Sequence, residues 1–152
     1  MTTLQVITTF PENRWDVYAK RMLQSHIDYW PDDVKITAYY EGTKPDLQHK
    51  KIEYINTEQV NPDLKAFKER HKNDPVANGE LREIHGGVRR NPNAGANDKG
   101  KGSYLWDAVR FAHKTFAVDH AIKNIDVDYV LWLDADTYTF RNIPKDFVTN
   151  LL

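Results

Sequence analysis

The stretch Tyr129-Val130-Leu131-Trp132-Leu133-Asp134-Ala135-Asp136-Thr137 decides how the fold is read. Its first five residues are apolar, with none of the alternation of a half-solvated strand. Such a run reads as a strand buried on both faces, hence a central strand in a parallel sheet covered by helices. It stops on two carboxylates one residue apart. In parallel α/β sheets, ligands sit beyond the carboxyl ends of the strands. Two carboxylates placed there repel each other unless they share a proton or a cation. Oxygen-only ligands favour Mg²⁺ or Mn²⁺, with waters and substrate phosphates completing the shell. Asp134 and Asp136 are therefore candidate metal ligands. A second D-x-D, Asp126-Val127-Asp128, precedes the strand and reads as a solvated turn.

Upstream of this stretch, a helix is expected from Ser103, read as the N-cap, to about Lys123. Asp107 would then lie in its first turn, and Leu105, Val109, Ala112 and Phe116 would form the apolar stripe. His113 and His120 stand seven apart and read as helix-face residues rather than ligands. Trp106, Phe111 and Phe116 read as core aromatics. Before the helix, six of the seven glycines fall between Gly79 and Gly102, among Asn91, Pro92, Asn93 and Asn97. A long loop over about 76–102 is expected, and Arg89, Arg90, Lys99 and Lys101 make it a candidate phosphate lid.

The N-terminal half repeats a strand–helix pattern. Leu4–Phe10 reads as the first strand, stopped by Pro11. Glu12–Trp30 carries apolar residues at helical spacing and is closed by Pro31. Val34–Tyr40 reads as a second strand, with Tyr39 and Tyr40 packed on the sheet and Glu41-Gly42 as its turn. Glu41, at that strand's end, is a candidate for hydrogen bonding a base or ribose. A third strand is expected at Lys51–Asn56, and a helix beginning at Asn61-Pro62-Asp63. This order predicts an α/β layered fold with a parallel sheet.

Composition narrows the class. The chain has 152 residues, 40% of them hydrophobic, which suits a single globular domain. It contains no cysteine, which excludes disulfides and thiolate metal sites and fits a reducing compartment. Its 21 basic and 22 acidic residues argue against a nucleic-acid partner. Residues 1–10 lack the basic start and apolar length of a signal peptide, and no apolar run approaches a membrane span, so a cytoplasmic protein is expected.

Residues Tyr129–Pro144, with Trp132-Leu133-Asp134-Ala135-Asp136-Thr137 followed by Asn142-Ile143, resemble the D-x-D region of GT-A fold glycosyltransferases of the glycogenin and galactosyltransferase-like kind. The resemblance implies a GT-A, Rossmann-like three-layer α/β/α fold with a mainly parallel sheet, and a donor nucleotide sugar, UDP- or GDP-linked, held through Mn²⁺ or Mg²⁺. It implies that Asp134 contacts ribose or metal and that Asp136 is the firmer metal ligand. By the same resemblance, Thr8, Thr9 and Phe10 belong to the base and ribose pocket, and Arg110 or Lys114, the latter favoured, faces the donor phosphates. It further implies that the chain corresponds to the N-terminal, donor-binding portion of such enzymes. The acceptor, the catalytic residues, the stereochemistry and the oligomeric state are left open. The alternative is a non-catalytic nucleotide-sugar-binding or assembly module with an incomplete active site. A haloacid-dehalogenase-type phosphotransferase fits less well. Its D-x-D lies on the first strand and is followed by Thr or Val two positions on, where Tyr138 stands here.

Overall fold

The computed structural model describes residues 2–75, 77–78, 83–84, 87–88 and 107–150. The chain divides into two compact units, Met1–Val60 with Phe116–Leu152, and Asn61–Thr115. The helix Ala108–Asn124 contributes its first turns to the second unit and its remainder to the first.

The first unit is α/β. β1 (Leu4–Phe10) leads through a 3₁₀ turn at Glu12–Arg14 and a π-helical turn at Trp15–Ala19 into α1 (Lys20–Tyr29). The single helix expected over Glu12–Trp30 is thus three successive windings. Pro31 ends it: Trp30, the residue before the proline, is extended, at φ −91° and ψ 153°. β2 (Lys35–Tyr40), β3 (Ile52–Asn56) and the short α2 (Thr57–Val60) follow. The chain returns to this unit in α4 (Ala108–Asn124) and continues through β6 (Tyr129–Trp132) to α5 (Lys145–Thr149), a helix the sequence reading lacks.

The four strands pair parallel in the order β3-β2-β1-β6. Ile7 is matched with Thr37 on one side and Trp132 on the other. The alternation along β1 splits the core in two. Leu4, Val6 and Phe10 pack with Met22 and Leu23 of α1, with Ile36, Ala38 and Tyr40 of β2, and with Leu131 and Leu133. Ile7 and Tyr39 pack on the other face with Ala117 and Ala121 of α4, joined by Val130 and Trp132. Helices therefore cover both faces, and the expected three-layer arrangement with a parallel sheet is present. The fully buried Tyr39 also sets its hydroxyl 2.9 Å from His120 Nδ1, which gives that helix-face histidine a packing role.

One expectation about the sheet is corrected in this unit. Among the described residues β6 pairs only with β1 and stands at the sheet's edge, not its centre. Its two apolar faces report the helix layers above and below it, not the number of hydrogen-bonded neighbours. Asp128 is exposed, as a turn residue should be, yet it does more than solvate the turn. Its Oδ2 accepts from Thr3 N–H (2.7 Å) and Thr3 Oγ1 (2.9 Å), while its own N–H donates to Thr3 Oγ1 (2.9 Å). These bonds hold its carboxyl below the usual carboxylate range and align the starts of β1 and β6.

The second unit holds α3 (Pro62–His71), the hairpin of β4 (Glu83–Ile84) and β5 (Gly87–Val88), and the start of α4. Pro62 opens α3 and Lys68, Arg70 and His71 lie in its last turn, the order the helix dipole favours. The β4–β5 pair lies within the region read as loop. Arg89, Arg90, Lys99, Lys101, Ser103, Leu105 and Trp106 lie outside the described residues. α4 begins at Ala108, and Asp107 caps it by accepting from Arg110 N–H at 2.8 Å, because a free amide in the first turn takes the nearest side-chain oxygen. Ala112 and His113 are buried, whereas Phe111 is exposed, against its reading as core. Among the described residues no helix is long and apolar enough to cross a membrane.

Candidate functional site

All four strands of the sheet run the same way, so their carboxyl ends share one edge. β1, β2 and β3 step outward in one direction, whereas β6 joins the opposite side of β1. The strand order therefore reverses at β1–β6, the place where open α/β sheets form a crevice for ligands. The D-x-D segment lies there. Beyond the last paired residue of β6, Leu133 N–H still donates to Ile7 O at 3.0 Å, and Asp134 leaves the sheet beside the Thr8–Thr9 stretch.

The Asp-Ala-Asp spacing follows from the pleat and the turn. Leu131 and Leu133 join the α1-side core, and Ala135, 5% exposed, continues that face. Val130 and Trp132 join the α4-side core, and Asp134 continues theirs. Ala135 is small enough to tuck under the turn while Asp134 and Asp136 on either side stay exposed. The turn closes through Asp134 O, which accepts from Thr137 N–H (3.0 Å) and Thr137 Oγ1 (2.7 Å). Aspartate at the first position of such a turn is the favoured choice.

After the turn the chain is fastened to α1. Thr139 N–H donates to the buried Ser25 Oγ (3.0 Å), and Trp30 Nε1–H donates to Thr139 Oγ1 (2.8 Å). Arg21 lies 3.6 Å over the Tyr138 ring, and Ile143 N–H donates to Tyr29 O (2.9 Å). The D-x-D turn is thus held between a strand and a strap. The sequence reading gives Ser25, Trp30 and Thr139 no role at the site. Nothing local marks them, since each bond joins residues more than a hundred positions apart.

The other candidates fall as follows. Thr8 is fully buried in the α1-side layer, and its Oγ1 has no hydrogen-bond partner among the described residues. Phe10 is also buried and packs on Trp15, with ring centroids 5.7 Å apart. Thr9, on the opposite face, is half-buried. Glu41 is half-buried at the end of β2, where its N–H donates to Phe10 O at 3.3 Å. Thr9 and Glu41 therefore share the carboxyl edge with the D-x-D turn, whereas the Thr8 and Phe10 side chains serve the core. Arg110 is exposed and Lys114 half-buried on the first turns of α4, in the second unit.

The donor set of the turn is two exposed carboxylates and the Thr137 hydroxyl, hard oxygen ligands of the kind Mn²⁺ and Mg²⁺ take. Among the described residues no cluster of three or more His, Asp or Glu is assembled. The pair fits a cation that completes its shell with water and phosphate oxygens, not one caged by protein alone. No protein-family model and no curated protein matches this chain.

Proposed function

We propose that this chain binds a UDP- or GDP-linked sugar through Mn²⁺ or Mg²⁺ at the Asp134–Thr137 turn, as a glycosyltransferase or the donor-binding portion of one. The observation that carries the reading is the position of the turn, with both carboxylates exposed beside the β1–β6 reversal of strand order. Asp136 and Asp134 would hold the cation. Bound there, it would neutralise charge on the diphosphate as the sugar is transferred. Thr9 and Glu41, on the same edge, are the polar groups placed for the ribose or base. Ala135 and the Thr137 hydrogen bonds fix the turn in advance, so little ordering cost falls on binding. The reading includes a cytoplasmic setting, with which a cysteine-free chain is compatible.

The test is calorimetric titration of UDP, GDP and their common sugar conjugates, with and without Mn²⁺, into the protein and into Asp136→Ala. One nucleotide should bind in a Mn²⁺-dependent manner, and the substitution should weaken it by an order of magnitude or more. Absence of binding by every nucleotide, or binding indifferent to both Mn²⁺ and the substitution, overturns the proposal. Sugar transfer or hydrolysis by the bound complex then separates a transferase from a donor-binding module without turnover.

A further inference from the structure

We infer that Trp132 is a positioning residue for the Asp134 carboxylate, and that its indole N–H fixes the orientation in which that carboxylate meets a cation or ribose. This rests on the donor-site reading above. Trp132 Nε1–H donates to Asp134 Oδ1 at 2.8 Å. The two residues lie two apart at the end of an extended strand, so their side chains rise from the same face of the sheet. The indole body is anchored independently of the bond. It packs in the α4-side core with Ile7, Ala117 and Ala121. Its ring also forms one wall of a cavity of about 310 Å³, with Val118, Ile122 and Ile125.

An indole is suited to this task. It is a donor only, so it pairs with the ionised carboxylate and has no lone pair with which to compete for a metal ion. Its flat apolar body is held by packing while its polar tip reaches the rim. The bond to Oδ1 ties the rotation of the carboxylate to a ring that is itself held by packing. Partners of this outer kind orient metal ligands, and losing one costs roughly 10–100-fold in metal affinity.

The experiment substitutes Trp132→Phe, which keeps an aromatic ring in the core and deletes the N–H. Mn²⁺ binding is measured in the presence of the nucleotide that the wild type binds. The expected result is a loss of roughly tenfold in wild-type background. In an Asp134→Ala background the same substitution should cost nothing further, because the partner is gone. A second readout follows the four tryptophan indole N–H signals by NMR, with Trp132 assigned by its loss in Trp132→Phe. On Mg²⁺ and nucleotide addition the Trp132 signal should move, and this movement should vanish in Asp134→Ala. A merely packing role would lower stability without producing either signature. Unchanged Mn²⁺ affinity in Trp132→Phe, or additive losses in the double variant, overturns the inference while leaving the donor site standing. A wild-type protein that binds no nucleotide with Mn²⁺ overturns the donor-site reading and this inference with it.

Discussion

Acidification should cost this protein stability at one identifiable histidine. His26 lies on α1 and is 1% exposed. Its Nε2 faces Val34 O at 2.9 Å, and since a carbonyl can only accept, Nε2 carries the proton and donates. Nδ1 has no partner among the described residues, so a second proton would be buried without a hydrogen bond. Burial chiefly, with smaller help from the Lys51 and His49 charges, lowers its pKa from 6.5 to about 4, even though the Val34 bond pulls upward. The folded state therefore refuses a proton that the unfolded chain accepts near 6.5. The stabilisation is whole above that value, erodes as pH falls from 6.5 towards 4, and is gone below. The full span is about 3 kcal/mol, and about 2 kcal/mol of it should be lost by pH 5. Urea unfolding at pH 7.5 and pH 5.0 measures it. Other groups titrate in the same window, so the quantity to compare is the pH dependence of wild type against His26→Gln, whose amide N–H can still reach Val34 O. The wild type should lose about 2 kcal/mol more than the variant over that interval. Equal losses, or an NMR titration placing His26 near 6.5 in the folded protein, would refute the reasoning.

Two further outcomes test the packing around the sheet. Lys51, 3% exposed, donates from Nζ to Ile27 O (2.9 Å) and Trp30 O (2.7 Å) and pairs with Asp32 (3.2 Å), closing the end of α1. Lys51→Met strips both carbonyls of their charged donor and should lower the unfolding free energy by about 3 kcal/mol in urea titration. Gly42, after β2, holds φ at +73°, and a Cβ there would meet the Glu12 carboxylate. Gly42→Ala should destabilise by roughly 1–2 kcal/mol, read as a lowered thermal midpoint, most of it from the left-handed backbone because the Glu12 side chain can move aside.

Much of the fold is written locally. The run Leu4–Phe10 stops at Pro11 because a proline cannot donate to the ladder, and the observed strand has those limits. Pro31 closes the α1 region because it forces the preceding Trp30 out of helical conformation, and the strand ahead of Asp134 differs from its reading by one residue. Ser103, the expected cap, lies outside the described residues, and Asp107 caps the described part of α4 through its 2.8 Å bond to Arg110 N–H. The two D-x-D pairs look alike as text. They differ in place: one stands at the strand's entrance, where Thr3 takes up Asp128, and the other at its exit, on the carboxyl edge of the sheet.

The sequence by itself determined the class of fold, the strand that carries the carboxylates and the end of that strand on which they fall. Each follows from side-chain periodicity and from proline, which act over a few residues. The tertiary structure alone decided the order β3-β2-β1-β6, the edge position of β6, the burial of Ala135 between two exposed aspartates, and the fastening of the turn by Trp132, Ser25 and Trp30. Strand neighbours and a strap onto α1 are long-range choices. They are set by which apolar faces can be buried together once the chain has closed, and no local pattern encodes that outcome.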